Sequence, residues 1–278
     1  MPTEVMLLVL LGALLHAAWN ASIRAAPDKF AQMMALTLGS AAVATVGLPF
    51  LPPPAAASWP FIAASVLTHF VYFTLLARAY QHGELSRSYP LMRGSAPLLT
   101  ALAAVLVLRE PLSQPGWLAL LLLSGGLLML GAGSRAGAGF ALANAGVIAA
   151  YTVIDGSGVR LAGTGVAGAL SYTLWMFLLN AVPFLLWTLL VQEKRRHLPA
   201  VMAAWRGGLV GGALALASYG LALWAMTRAP IALVAALRET AVIFGLVIGA
   251  VMLKERFGPE RWLATLLVAA GAATLRLA

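Results

Sequence analysis

Two arginines interrupt long apolar stretches of this sequence, and they are the side chains best suited to bind a charged ligand. Arg93 and Arg238 both lie inside runs of apolar residues. An arginine at the centre of a membrane helix costs about 2.5–3.5 kcal/mol on insertion scales, so each needs a compensating interaction. A guanidinium offers a planar fork of donors to a carboxylate, phosphonate or phosphate. We therefore predict that both bind the anionic group of a solute, with the alternative that Arg93, near a helix end, extends its charge to the surface.

Two acidic residues in the apolar runs could bind and release a proton. Glu239 directly follows Arg238, but on an α-helix its side chain points about 100° away. It is either a titrating carboxylate of a cavity or the partner of an arginine on another helix, such as Arg93. Asp155 is either a second cavity carboxylate or a residue at a helix end that faces the lipid headgroups, and its position near the end of an apolar run favours the headgroups.

Several other polar and aromatic residues are spaced to share a helix face. His16, Trp19 and Asn20 form one stripe, and His69 and Tyr72 are three residues apart. A polar stripe of this kind is expected to face other helices, where it could bind a solute or form hydrogen bonds between helices.

Three more aromatic side chains lie within later apolar runs: Tyr151, Trp175 and Tyr219. They could form an aromatic box for an apolar or cationic group. The alternative is ordinary packing between helices or at the membrane interface.

These residues belong to a chain that is suited to a lipid bilayer. Of its 278 residues, 62% are hydrophobic and 10% are charged, whereas soluble domains have about 25% charged residues. This composition excludes soluble enzymes, disordered tails and free nucleic-acid binders. We assign the net charge of +9 to loops that contact anionic lipid rather than nucleic acid.

The apolar residues fall into segments of the length that a membrane helix needs, about 20 residues. Because the runs are continuous and not alternating, they exclude a membrane β-barrel. We predict an all-α integral membrane protein with ten transmembrane helices, at 5–23, 31–51, 59–79, 89–108, 116–133, 137–155, 166–191, 207–227, 230–253 and 259–276.

The second half of the chain repeats the first. A shift of 145 positions aligns three distinctive pairs without a gap: Arg93 with Arg238, Glu110 with Glu255, and Trp117 with Trp262. Because each unit has five helices, the second copy must cross the membrane in the opposite direction. We predict two inverted repeats at 1–135 and 136–278, an arrangement typical of transporters. Glu110 and Glu255 end matching helices, where we expect a structural role in capping and loop geometry.

The sequence resembles the drug/metabolite transporter superfamily, and within it the EamA-type ten-helix carriers. The resemblance covers the whole chain and rests on the run from His16 to Asn20, on the Leu-Arg-Glu and Leu-Lys-Glu motifs that end at Glu110 and Glu255, and on the Trp and Gly-rich helices that follow. It implies a secondary carrier in which two five-helix bundles enclose a cavity lined mainly by helices one, three, four, six, eight and nine. Many relatives export amino acids or other small metabolites.

Many such relatives have a proline in the middle of helix four. The two repeats of this chain differ in the prolines of this helix. Here Pro90 and Pro97 flank Arg93, whereas the second copy has Ala235 and Val242 at the equivalent positions. We therefore do not expect the two halves to behave alike.

Two criteria disagree on orientation. Apart from the two intramembrane arginines, four Lys and Arg residues fall on the face with the chain termini and twelve fall on the other face. The positive-inside rule then places the termini outside, whereas the family resemblance implies that both termini are cytoplasmic.

Together these features predict a secondary transporter in a bacterial inner membrane that exports small anionic or zwitterionic metabolites such as amino acids, driven by proton coupling or by the gradient of the solute. One alternative is an exporter of lipophilic cations or drugs that uses Glu239, Asp155 and the aromatic residues. Another is a membrane enzyme acting on a lipid-linked substrate. The chain has no cysteine, no nucleotide-binding Gly-x-x-x-x-Gly-Lys motif and no His-Glu-x-x-His motif, so we expect no metal, no cofactor and no enzymatic activity.

Overall fold

The computed structural model describes residues 1–82, 85–131, 137–252 and 258–278. This part of the chain contains thirteen α-helices and no strand. They are α1 (Thr3–Ala25), α2 (Lys29–Gly47), α3 (Trp59–His82), α4 (Leu85–Val107), α5 (Gln114–Gly131), α6 (Ala138–Leu161), α7 (Gly165–Leu190), α8 (Gln192–Arg195), α9 (Leu198–Ala203), α10 (Trp205–Met226), α11 (Ile231–Arg238), α12 (Ala241–Met252) and α13 (Pro259–Thr274).

The helices account for the predicted membrane spans. Nine stretches within the described residues are long and apolar enough to cross a bilayer, and the ninth combines α11 with the start of α12. The 16-residue α13, extended by a 3-10 turn to Leu277, coincides with the tenth predicted segment at 259–276. The short helices α8 and α9 lie in the connection between α7 and α10. The prediction of an all-α membrane protein with ten spanning helices is therefore confirmed.

The ninth segment, predicted as one continuous helix, is interrupted near its middle. The amides of Glu239 and Thr240 bond to carbonyls three residues earlier, at 3.0 and 3.1 Å, which is a tighter turn than that of an α-helix. The hydroxyl of Thr240 also donates to the Leu237 carbonyl at 2.7 Å and so competes with the regular helical bond to that oxygen. The corresponding helix of the first repeat, α4, is continuous although it contains Pro90 and Pro97.

The packing of the helices follows the predicted repeat. The first helices of the two repeats, α1 and α6, make equivalent contacts with the opposite repeat. Helix α1 packs against α10, as α6 packs against α3. Helix α1 also packs against α11 and α12, as α6 packs against α4. The helices α2, α4 and α5 each pack against their own counterparts α7, α11 and α13. Such exchange is expected of inverted repeats related by a two-fold axis. It brings together α4 and α11, which carry Arg93 and Arg238. The predicted boundary between 135 and 136 lies outside the described residues.

Glycines allow α2 and α10 to meet backbone to backbone. A Cβ atom at Gly39 would lie 2.2 Å from the Gly208 carbonyl oxygen, and one at Gly212 would lie 2.3 Å from the Ser40 amide nitrogen. The Ser40 hydroxyl donates to the Gly212 carbonyl at 3.2 Å. Close approach of this kind, strengthened by polar side chains, is how membrane helices associate where lipid provides no hydrophobic driving force. The contact holds the two repeats together.

A second contact between the repeats lies at the surface opposite the chain termini. Asp28 caps α2 by accepting a hydrogen bond from the Ala31 amide at 2.9 Å, and this bond lowers the pKa of the Asp28 carboxyl. The other oxygen of Asp28 lies 2.5 Å from His197 Nδ1, in the connection between α8 and α9. Lys194 stacks over Phe30 beside this pair, 4.7 Å from the ring centroid.

We expect Gly39→Ala to lower the melting temperature in detergent, because a methyl group at Gly39 would force α2 away from α10. Gly146→Ala on α6 is the matched control, since a Cβ there meets nothing within 4 Å and alanine favours a helix by about 0.5–1 kcal/mol over glycine. Thermal unfolding followed by tryptophan fluorescence measures both. Equal melting temperatures for the two variants would contradict the backbone contact.

Candidate functional site

A small cavity lies where α4, α6 and α11 meet. Each helix contributes residues spaced by three, four or seven positions, which places them on one face of the helix. The lining consists of Arg93, Ala96, Pro97 and Thr100 from α4, Ile148, Tyr151 and Thr152 from α6, and Ala235, Arg238 and Glu239 at the end of α11. Small side chains predominate among the uncharged ones, and they leave the space open.

Arg93 and Glu239 form a buried ion pair across the cavity. Arg93 Nε donates to Glu239 Oε2 at 2.9 Å, and the two side chains are only 8% and 5% exposed. The interpretation that Arg93 extends to the surface is therefore wrong. The reason is that α4 begins at Leu85, so Arg93 lies about 12 Å along the helix from that end. Of the two alternatives for Glu239, the structure has the ion pair with Arg93.

Arg238 is held differently from Arg93. Its guanidinium lies over the ring of Tyr219, 4.8 Å from the centroid, which is a cation–π contact. Among the described residues, no carboxylate lies within 4.0 Å of its nitrogens. Arg238 thus lines the cavity with its hydrogen-bond donors uncommitted to a protein carboxylate.

Asp155 lies inside the bundle, and the interpretation that it faces headgroups is wrong. The residue is fully buried because α6 continues to Leu161, six positions beyond it. Its carboxylate accepts hydrogen bonds from Tyr172 at 3.0 Å and from Tyr219 at 2.6 Å. Since the ring of Tyr219 also supports Arg238, this tyrosine connects the buried carboxylate with the cavity arginine.

Aromatic side chains of α3 and α6 form one wall beside this network. The ring of His69 stacks on Tyr151 with centroids 4.3 Å apart, and Tyr72 meets Tyr151 edge-on at 5.8 Å. His69 Nδ1 lies 2.9 Å from the Ser65 carbonyl of its own helix. The structure therefore brings together His69, Tyr72 and Tyr151, with Tyr219 next to them.

The predicted stripe on α1 is only partly directed at the site. His16 interacts electrostatically with both Arg93 and Arg238. Trp19 lies edge-on to His16 at 4.8 Å, and its buried indole nitrogen has no hydrogen-bond partner among the described residues. The Asn20 amide donates to the His16 carbonyl of its own helix at 2.8 Å. Trp175 packs against Trp59, with centroids 5.1 Å apart, and is not part of the cavity lining.

Of the two glutamates expected to have a structural role at helix ends, Glu110 and Glu255, the structure describes the first. Glu110 lies just beyond the end of α4 and accepts hydrogen bonds from Arg160 and from the Ile231 amide at 3.1 Å. Glu255 lies outside the described residues.

Thr100, Thr152 and Tyr172 are among the polar residues near the site that were not predicted from the sequence. Thr100 lies two turns after Arg93, and Thr152 lies one turn before Asp155, so helical spacing could have identified both. Tyr172 is on α7, and nothing in its local sequence indicates a bond to Asp155. In the described part of the chain, no group of three or more His, Asp and Glu side chains could hold a metal ion.

The buried ion pair can be tested by removing one or both of its charges. Glu239→Gln leaves the Arg93 charge buried without a carboxylate, and we expect it to lower the free energy of unfolding by about 3 kcal/mol. The double variant Arg93→Gln/Glu239→Gln should recover part of that loss, because no unpaired charge remains. Thermal unfolding in detergent measures both, with Glu260→Gln at the exposed start of α13 as the control. Additive losses in the double variant would contradict the pair.

Comparisons with known proteins agree with this architecture. The EamA-like transporter family matches the chain twice, at residues 3–132 and 135–277. A solved structure described only as the crystal structure of a protein is 19% identical, with a TM-score of 0.70 over 100% of this chain and 98% of the other, and it supports the fold alone. No curated protein matches the sequence. Because the family match covers both repeats and nearly the whole chain, the protein belongs to the EamA-like transporter family.

Proposed function

We propose that this transporter moves small anionic or zwitterionic metabolites, such as amino acids, and that Arg238 binds their anionic group. Membership of the family means that the chain carries small solutes across a membrane. The observation that supports the solute class is the difference between the two cavity arginines. Arg93 has Glu239 as its partner at 2.9 Å, whereas Arg238 lies over the ring of Tyr219 and, among the described residues, has no carboxylate within 4.0 Å of its nitrogens.

The charges that line the cavity favour an anion. Arg93, Arg238 and Glu239 are the charged residues of the lining, and with all three ionised they leave one positive charge in excess. A carboxylate entering the cavity would accept hydrogen bonds from the Arg238 fork and neutralise that charge.

The rest of the pocket offers groups for the remainder of the solute. The hydroxyls of Thr100 and Thr152 and the ring of Tyr151 line the cavity. His69 and Tyr72 lie behind Tyr151. We propose that these groups, with His16 and Trp19 of α1, set the specificity for the solute. Asn20 and Trp175 are weaker candidates because their polar or ring contacts are made elsewhere.

Transport of lipophilic cations is the second candidate function. It would require a carboxylate that is available to the cation. Glu239 is bound by Arg93, and both oxygens of Asp155 accept hydrogen bonds from tyrosines. These contacts favour the anionic solute. A membrane enzyme acting on lipid-linked substrates would need a catalytic group near the cavity, and Glu239, the carboxylate in the lining, is occupied by the ion pair.

The proposed transport cycle is alternating access. The two repeats, which we take as residues 1–135 and 136–278, would rock about the cavity between α4 and α11 so that it opens to one face at a time. Export by EamA-type relatives supports export across a bacterial inner membrane as the direction.

The role of Arg238 is tested with Arg238→Gln. We expect this variant to weaken binding of the anionic solute by about 10- to 100-fold, the loss of one charge-assisted hydrogen-bonding group. A panel of amino acids, organic acids, phosphonates, nucleobases and lipophilic cations is screened first by ligand-induced thermal stabilisation, since a ligand stabilises the state that it binds. The best ligand is then used in transport into proteoliposomes.

Arg228→Gln is the matched control for Arg238→Gln. It also removes an arginine that stacks on an aromatic ring, here Trp224 at 5.7 Å, but Arg228 is exposed and lies outside the cavity lining. Stabilisation by lipophilic cations alone, or unchanged binding in Arg238→Gln, would contradict the proposal.

We further propose that Asp155, rather than Glu239, carries a coupling proton. Glu239 is held by Arg93, and protonating it would break the ion pair. Asp155 is fully buried. It accepts hydrogen bonds from the neutral hydroxyls of Tyr172 and Tyr219 and of Ser65, and His69 is a nearby titratable group. A buried carboxylate without a close cation is stabilised by binding a proton, and Tyr219 connects that change to Arg238.

Asp155→Asn tests this assignment. The amide keeps the size of the side chain but cannot exchange a proton, so we expect transport to lose its response to an imposed pH gradient. Solute exchange without a gradient should persist within a few-fold of the wild-type rate. Both are measured in proteoliposomes. A variant that still responds to the pH gradient would exclude Asp155 as the proton carrier.

A further inference from the structure

Five groups form a hydrogen-bonded cluster on the membrane face that carries the chain termini. Glu110 accepts hydrogen bonds from Arg160 and from the Ile231 amide at 3.1 Å. Arg160 also donates from Nε to the Met226 carbonyl at 2.7 Å and from Nη2 to the Ala229 carbonyl at 3.2 Å. Glu110 belongs to the first repeat and the other four belong to the second. We call this cluster the terminus-face latch.

Two bonds of the latch satisfy backbone groups at helix ends: the Ile231 amide that starts α11 and the Met226 carbonyl that ends α10. Pro230 precedes α11 and provides no side-chain cap, so the carboxylate of Glu110 takes the first free amide, at the end of the helix where its dipole favours a negative charge. Arg160 takes the carbonyl of the last residue of α10, where a positive charge is favoured. The side chains of Arg160 and Glu110 are 33% and 18% exposed, so water screens their attraction only in part.

The backbone next to the latch is strained. Arg109 adopts a left-handed conformation with a φ of 56°, the single non-glycine residue with positive φ in the described parts of the chain. Such a conformation is unfavourable for a residue with a side chain and persists where surrounding contacts enforce it. Here it turns the chain at the end of α4, and the Glu110 amide bonds back to the Ala104 carbonyl at 3.1 Å. The turn places the Glu110 side chain against α11.

The latch and the cavity arginine lie at opposite ends of the same short helix. Helix α11 has eight residues, from Ile231 in the latch to Arg238 in the cavity, a distance of about 10 Å along its axis. A helix of this length moves as one body, and the break after Arg238 separates it from α12. Displacing its first residue therefore displaces Arg238 as well.

We infer that the terminus-face latch keeps this face of the carrier closed and couples its closure to the position of Arg238. For that face to open, the repeats must separate there, and Glu110 must leave both Ile231 and Arg160. The inference rests on the alternating access of the proposed function but not on the charge of the solute. Two other contacts between repeats on the same face would separate too: the Ala55 amide to the Ala162 carbonyl at 3.0 Å, and Ser171 to the Pro52 carbonyl at 2.6 Å.

The absence of cysteine permits a direct test by labelling. Thr100→Cys places a single thiol in the cavity lining with little change in size. The protein is reconstituted in proteoliposomes, and its C-terminal tag is cut by an external protease to identify which molecules expose the terminus face. A membrane-impermeant maleimide then gives the labelling rate from each face, with and without Glu110→Gln. The measurement needs no solute.

Glu110→Gln should raise labelling from the terminus face by about fivefold and lower it from the opposite face, because the closed state loses about 1 kcal/mol of charge-assisted bonding. Glu4→Gln removes an exposed charge from the same face and should leave both rates unchanged. Arg160→Gln removes the other partner of the pair and should have the same effect as Glu110→Gln. The test can therefore still be made if one of the two variants folds poorly. Thermal unfolding verifies that each variant is folded.

The outcomes separate the latch from the proposed transport cycle. The inference is supported if the ratio of the labelling rates from the two faces shifts in Glu110→Gln and in Arg160→Gln but not in Glu4→Gln. If that ratio is the same with and without the latch residues, the inference is overturned, and alternating access stays in place. Equal labelling rates from both faces in the Thr100→Cys protein itself would overturn the latch, because the terminus face would not be the closed one, and would leave alternating access in place. Labelling confined entirely to one face in every variant would contradict alternating access, and with it the latch.

Discussion

The buried charge of Glu239 is the constraint on which the centre of this molecule depends. Lipid offers no solvation to an ionised side chain, so each charge in the bundle must find its partner within the protein. Glu239 is bound to Arg93 at 2.9 Å, and this bond holds α4 of one repeat against α11 of the other. Arg238 is left with the face of Tyr219. Because Glu239 pairs with Arg93, the charge of Arg238 is not paired with that carboxylate.

The break between α11 and α12 gives the two charged neighbours different surroundings. Arg238 ends α11 and lies over a ring of α10, whereas Glu239 is in the turn and reaches α4. Thr240 stabilises that turn by taking the Leu237 carbonyl with its hydroxyl. Broken membrane helices commonly border the binding sites of transporters, because the freed backbone groups are tolerated only beside a cavity.

The features that the sequence predicts are those imposed by the bilayer and by repetition. Hydropathy identifies the ten spans because lipid permits only helices with satisfied backbones, and the repeat places Arg93 and Arg238 on facing helices. The surroundings of Asp155 could not be predicted in this way. They depend on Tyr172 and Tyr219, 17 and 64 positions away on other helices, and no local pattern encodes such contacts. The helix break was also missed, since the bonds from Glu239 and Thr240 to carbonyls three residues earlier are a feature of the backbone that hydropathy does not encode.

The repeats diverge at the position that follows each arginine, where the first has Gly94 and the second has Glu239. A Cβ at Gly94 would lie 2.9 Å from the side chain of Leu128 and 3.0 Å from its amide nitrogen, so the first copy uses this position for close contact with α5. Two identical units facing each other would have either two carboxylates or none, and their arginines would be neutralised together or left to repel each other. Joining the copies in one chain allows the symmetry to be broken, and only then can a single positive charge stand at the centre of a two-fold architecture.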